Sequence, residues 1–243
     1  MNFTPDAYSR SVEGELTPAL IDELAAWMHP RVFRETFAAP GFALAAFSCG
    51  VDSHELRRIM VELKRTLSDL HRRASDRELC YCSMGRFDQQ TSTRFHLDGA
   101  PEQSFLMLGY EPTPVESRLA MADYSRAAFD LNISPAEYLE QYNPMFAAHE
   151  TRLTGYISPL AAFDHRRPQI LCVNNSRQPF DAANRHQLGV FHQATIPEPR
   201  TELRRIVNST MIGVCPDLGG ETVSADDQLR FVETDQISGS RYN

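Results

Sequence analysis

Residues 79–110 read LCYCSMGRFDQQTSTRFHLDGAPEQSFLMLGY. Three stretches in this run, Leu79 to Phe87, Arg94 to Asp98 and Phe105 to Tyr110, are short and rich in aromatic and aliphatic residues. Polar or Gly/Pro segments of the kind that make turns separate them, so the spacing predicts three successive strands. Upstream the period changes. Leu16, Ala19, Leu20, Leu24 and Trp27 recur at helical intervals around Thr17-Pro18, predicting a helix over 15–39 that Ala39-Pro40-Gly41 breaks. Leu56, Ile59, Met60, Leu63, Leu67 and Leu70 predict a second helix over 53–74, with Arg57, Arg58, Lys64, Arg65, Arg72 and Arg73 on a solvated opposite face. Phe42 to Ser48 reads as a buried strand between them.

Downstream, 117–131 and 135–150 read as helical pieces, the second opened by Ser134-Pro135-Ala136-Glu137. Strands are expected again at 169–174, 189–195 and 203–214, with one more near Leu229 to Glu233. Helices followed by many short strands predict a mainly β fold with supporting helices, a barrel or sandwich. The expected organisation is a single domain over 1–243: helical support at 1–76, a β core at 77–214 with a helical insertion at 115–165, and a C-terminal segment at 215–243. A parallel α/β sheet would need regular strand–helix alternation, which is missing. Gly219-Gly220 is a lone pair that reads as a turn, not a phosphate loop.

Composition narrows the function. A net charge of -8 argues against neutralising nucleic-acid phosphates. No run approaches the roughly 18 apolar residues of a membrane span, and the N-terminal residues do not resemble a secretory signal. The five cysteines, Cys49, Cys80, Cys82, Cys172 and Cys215, are odd in number and sparse in 243 residues. They are expected to be free thiols in a cytoplasmic protein whose partner is a small molecule. The oligomeric state is not readable from the sequence.

His96 and Asp98 carry the chemistry. Residues two apart in a strand point to one side, so an imidazole and a carboxylate converge, two corners of a facial metal triad. Far downstream His192 lies in another strand-like run, Gly189 to Thr195, with His186 as the rival third ligand. The next predicted strand opens on Arg204-Arg205, whose side chains face opposite ways; one of the two can hold a carboxylate with a two-pronged hydrogen bond. Arg94 shares the face of His96 and can meet substrate or pair with a carboxylate. Arg86, Gln89 and Gln90 lie where a loop could reach the mouth of the site. The other histidines, His29, His54, His71, His149 and His165, read as surface or structural.

The order His-x-Asp, a long gap, His, then Arg resembles the iron(II)- and 2-oxoglutarate-dependent oxygenases, and especially their taurine dioxygenase-like branch. Arg204-Arg205-Ile206-Val207-Asn208-Ser209-Thr210-Met211-Ile212-Gly213 and the stretch Leu119 to Phe129 also look like segments of that branch. The resemblance spans about residues 86–213. It implies a double-stranded β-helix core (jelly-roll, cupin-like), with Fe(II) held by His96, Asp98 and His192 and 2-oxoglutarate gripped by Arg205. It also implies O2 as oxidant and hydroxylation of a small polar metabolite, such as an amino acid derivative or natural-product intermediate, with release of succinate and CO2. A family threonine falls at Leu119, so its contact is either lost or supplied by a neighbour such as Ser117, and a second family arginine falls near Ser209. The competing reading is a cupin-like metalloprotein, an isomerase or ligand-binding module that does no 2-oxoglutarate chemistry.

Overall fold

Phe42–Phe47 is buried along its whole length, and the alternation of its side chains explains why. Phe42 and Leu44 enter one apolar cluster, while Ala43, Ala45 and Phe47 enter another on the opposite face. A strand packed on both sides reads as a continuous hydrophobic run.

The computed structural model describes residues 3–48, 50–146, 150–177, 188–214 and 222–238. The chain begins with α1 (Pro5–Tyr8), β1 (Ser9–Val12), α2 (Pro18–Val32), β2 (Phe42–Phe47), α3 (Ser53–Ser75) and β3 (Leu79–Asp88). It continues through β4 (Ser104–Tyr110), β5 (Arg118–Ala122), α4 (Tyr124–Asp130), α5 (Pro135–Tyr142), a 3-10 turn (Glu150–Tyr156) and β6 (Ile157–Pro159). It closes with β7 (Gln169–Asn174), β8 (Phe191–Thr195), β9 (Ile206–Val214) and α6 (Ala225–Glu233).

A six-stranded sheet runs β1-β2-β7-β4-β9-β3, and a three-stranded sheet runs β6-β5-β8. Apart from the parallel β1–β2 pair, every pairing is antiparallel. Leu108 and Tyr110 of β4, Leu171 and Val173 of β7, and Val207 and Met211 of β9 meet Leu119 and Met121 of β5 between the sheets. The other face of the large sheet packs on α2 and α3 through Leu24, Met28, Leu56, Met60, Leu63 and Leu67. A third cluster seats α4 and α5 around Phe191, Tyr124 and Tyr138. Two facing sheets with flanking helices are consistent with a jelly-roll-like fold, but helix and sheet are mixed, and the chain is not mainly β.

Several elements differ from the sequence reading. The first helix is shorter than 15–39, ending at Val32, after which residues 33–41 are irregular. Residues 117–131 split into β5 and α4 at Asp123, whose carboxylate caps the helix by accepting from the Arg126 N–H. The segment 115–165 is therefore more than a helical insertion: it supplies β5 and β6, two strands of the smaller sheet. Leu229 to Glu233 belongs to α6, because Ser224 caps that helix through the Asp227 N–H and turns Phe231 inward. Arg57 and Lys64 are buried, not solvated. Arg57 reaches Ser53 Oγ, the Val232 carbonyl and Asp235, and Lys64 lies 4.4 Å over the Tyr81 ring.

The cysteine expectation is also corrected. Cys82 and Cys172 are free, but Cys80 is disulfide-bonded. An odd, sparse set can still hold one pair that the fold brings together, so the cysteines give no argument for a reducing compartment. Cys49, Cys215, Gly219-Gly220, His149 and His186 lie outside the described residues. Among the described residues no helix is long and apolar enough to cross a membrane.

His71 makes stability depend on pH. It is buried at 2% exposure, with its ring 4.6 Å from Phe33 and 5.7 Å from His29, and neither ring nitrogen has a hydrogen-bond partner among the described residues. Burial, then the charges of His29 and Arg77, pull its pKa down to about 4. The unfolded chain, with an ordinary histidine pKa of about 6.5, binds more protons between those values, so stability falls as pH drops through this window. The full loss is about 3 kcal/mol. Urea unfolding free energies compared at pH 7 and pH 4.5 should show the parent losing about 2 kcal/mol more than His71→Leu, since the transition is not complete at pH 4.5; equal losses would remove His71 as the cause.

Candidate metal centre

His96, Asp98 and His192 offer ligand atoms that all lie within 4.8 Å of one another. His192 sits in β8 opposite Met121 of β5. His96 meets it through a single antiparallel bridge, each N–H donating to the other's carbonyl at 3.1 Å. Residues 94–98 are thus not a full strand. The Thr93 N–H still reaches the Ala194 carbonyl at 2.9 Å, but the Asp98 N–H donates to the Asn175 side chain and the segment leaves the sheet. The bridge alone puts the two imidazoles side by side, ring centroids 4.1 Å apart. His96 Nε2 lies 3.3 Å from one Asp98 oxygen, and His192 Nε2 lies 4.0 Å from the other. The three side chains keep 12 to 26% exposure, so the cluster opens to solvent on one side.

The electrostatics suit a cation. His96 Nδ1 is 2.7 Å from the Arg94 carbonyl, which assigns a proton to Nδ1 and turns Nε2 toward Asp98, the nitrogen that would ligate a metal once its own proton is lost. Burial works against the charged form of His96, but hydrogen bonding and charge from Asp98 outweigh it and raise the pKa. Burial likewise opposes ionisation of Asp98, yet the hydrogen bond from His96 and the charges of both histidines bring its pKa below the usual value. Burial, then the charge of His96, pull His192 down to about 4 against the attraction of Asp98. At neutral pH the cluster presents a carboxylate and a neutral His192, the forms that ligate metals. Two imidazole nitrogens and a carboxylate suit a first-row ion such as iron(II) and leave coordination positions for other groups.

Arg205 supplies a second feature. It immediately precedes β9 and is 2% exposed, with its guanidinium 5.4 Å from the Tyr110 ring centroid. Nη1 donates to the Gln89 carbonyl at 2.8 Å, while Nε and Nη2 are buried with no hydrogen-bond acceptor among the described residues. Those two atoms form one edge of the guanidinium, a complete fork for a carboxylate. A buried guanidinium bonded through one nitrogen only is costly, and burial lowers its pKa while Tyr110, by charge and by hydrogen bonding, and Asp88 hold it up. Tyr110 is the residue the sequence did not mark. Burial pushes its phenol up to about 12, with the Arg205 charge pulling it down and the Asp98 charge pushing it up. A lone tyrosine ending an apolar strand carries no sequence signal for this role.

The other expected residues separate. Arg204 is exposed, and it is its carbonyl that accepts from Thr113 Oγ1 at 2.7 Å. Ser209 shares the inner face of β9 with Val207 and Met211. Leu119 joins the core between the sheets, and Ser117, just before β5, is buried with no partner for its hydroxyl among the described residues. Arg94 is exposed and reaches the Pro144 carbonyl at 3.5 Å, without a carboxylate partner among the described residues. Arg86 is corrected outright. It sits in β3 opposite Asn208, on the face that packs against α3, and pairs with Glu111 through two 3.0 Å contacts. It belongs to a buried ionic network with Arg57 and not to the mouth of the site. Gln89 acts through its main chain, holding Arg205, and the Gln90 side chain clamps the Leu203 carbonyl and the Arg200 N–H, both at 2.7 Å.

No family model matches the chain, and no curated protein matches it. Solved structures with a similar course of the chain include the apo Kdo hydroxylase KdoO, described as a non-heme Fe(II) alphaketoglutarate dependent dioxygenase. That structure is 10% identical over 84% of this chain and 88% of its own, with a TM-score of 0.43. The same hydroxylase with cobalt(II) is 12% identical over 97% and 99%, with a TM-score of 0.40.

Proposed function

We propose that this protein is a non-haem iron(II), 2-oxoglutarate-dependent dioxygenase that hydroxylates a small polar metabolite. The observation that carries this reading is the pairing of a His-Asp-His cluster with a buried arginine fork that has no partner of its own. The two facing sheets then correspond to a double-stranded β-helix. His96, Asp98 and His192 would hold the metal. Iron(II), when bound with 2-oxoglutarate, supplies oxygen activation coupled to decarboxylation, giving succinate and CO2.

The chain's own contribution is binding, orientation and exclusion of water. The Arg94 carbonyl fixes the His96 tautomer, and the β-bridge fixes the distance between the imidazoles. Arg205 Nε and Nη2 take the far carboxylate of the co-substrate, with Nη1 anchored on Gln89. Tyr110 and Ser117 bring further hydroxyls to the same interior. Leu119, Met121, Val207 and Met211 line it with apolar surface, which strengthens the charge pairing by keeping it dry. Asp98 favours hydroxylation over halogen transfer, because a carboxylate occupies the position a halide would need.

Anaerobic addition of iron(II) and 2-oxoglutarate should produce a visible charge-transfer band from chelation, and His192→Ala should abolish it. A protein that binds the metal yet gives no band would be read as a cupin-like metalloprotein without 2-oxoglutarate chemistry.

A further inference from the structure

Among the described residues Asp98 has no strand partner for its main chain. His96 is held by β8, but two residues later the segment has left the sheet. A side chain from elsewhere takes over. Asn175, directly after β7, is fully buried. Its Oδ1 accepts from the Asp98 N–H at 2.9 Å, and its Nδ2 donates to the Asp98 carbonyl at 3.1 Å. One carboxamide thus grips both polar groups of a single residue, as a neighbouring strand would. The same Nδ2 donates to Ser104 Oγ at 3.1 Å, and the Asn175 N–H donates to the Ser104 carbonyl at 2.9 Å, which ties the grip to β4.

We propose that Asn175 is a positioning residue for the metal centre: it fixes the Asp98 backbone and thereby aims the Asp98 carboxylate between the two histidines. This rests on the metal reading above. A carboxylate on a freely turning segment would lose part of its binding free energy to ordering, whereas a clasped one is pre-organised. Groups that orient a ligand in this way typically change metal affinity by about 10- to 100-fold when removed.

The test uses the full chain and Co2+ as probe, followed by the ligand-field absorption of the bound ion, with amide hydrogen exchange of the metal-free protein beside it. Asn175→Ala should weaken Co2+ binding by roughly 10- to 100-fold and release the Asp98 amide to fast exchange. Asn175→Asp keeps the acceptor for the Asp98 N–H but loses the donor to its carbonyl, so it should weaken binding less and decides the matter if the alanine variant does not fold. Asn174→Ala is the control. Asn174 is as buried and donates to the Val32 carbonyl at 2.9 Å, but does not touch Asp98. It should lower the melting temperature while leaving Co2+ affinity and the Asp98 amide unchanged. Parental Co2+ affinity in folded Asn175 variants would overturn the proposal and leave the metal reading intact. A parent chain that takes up no Co2+ would instead overturn the metal reading, and an Asp98 amide still protected in Asn175→Ala would show that no clasp exists.

Discussion

Arg205→Ala is expected to raise the apparent requirement for 2-oxoglutarate by about ten- to a thousandfold, equivalent to about 1.4 to 4 kcal/mol. The loss is that of a charge-assisted two-pronged pair in a buried site. Metal affinity should stay at the parental value, since Arg205 is not in the ligand cluster. Arg205→Lys should fall between, because an ammonium is a point donor and cannot reproduce the fork. Arg204→Ala should behave like the parent, as its side chain is exposed and only its carbonyl is engaged. Titrating 2-oxoglutarate while following succinate decides the matter. A dependence that moves with Arg204 instead of Arg205, or with neither, would sink the co-substrate role.

Arg34→Ala should be the most destabilising single change away from the metal centre, by about 3 to 5 kcal/mol. Arg34 is buried just beyond α2, where it forms a bidentate pair with Asp123 at 2.7 and 2.6 Å. Its other donors reach the carbonyls of Leu188 at 2.8 Å and Ala39 at 3.0 Å. One guanidinium therefore ties the end of a helix, the start of α4 and the chain leading into the His192 strand. Removing it leaves the Asp123 carboxylate, 14% exposed, without its partner. Urea unfolding should show the loss, with faster amide exchange over 188–192 in the folded variant. Asp123→Asn combined with Arg34→Ala should cost less than the sum of the two, because the stranded charge is gone. Strict additivity would mean that the pair is not coupled.

The helices α2 and α3 and strands β2, β3, β4 and β7 were legible because each has a clean apolar period. The convergence of His96 with Asp98 was legible for the same reason, spacing of two along extended backbone. What was missed depends on contacts between distant segments. Asn175 and Tyr110 sit at the ends of strands whose apolar pattern says nothing about one polar neighbour. Arg86 lies near the end of the strand read as Leu79 to Phe87, next to the loop at Gln89 and Gln90, and nothing in its own spacing shows that it faces α3 and Glu111. The disulfide at Cys80 follows from chain topology, which residue counts do not encode. Gly189 shows the limit most clearly. In sequence it is an ordinary glycine before a strand, yet a Cβ there would lie 2.1 Å from the Ser176 carbonyl oxygen, so no larger residue fits where the two chains cross.

The two parts of the proposed binding apparatus hang from different sheets. His192 belongs to the three-stranded sheet, whereas Arg205 leads into β9 of the six-stranded one and rests over Tyr110 of β4. Facing sheets keep a separation of about 10 Å set by the side chains between them. On the proposed function the sandwich would act as a calliper, with His192 on one jaw and the Arg205 guanidinium on the other. A dicarboxylate one methylene shorter or longer than the five-carbon acid would meet one jaw and miss the other. Trimming the spacer, as in Met211→Ala, would retune which acid is accepted before it altered the chemistry performed on it.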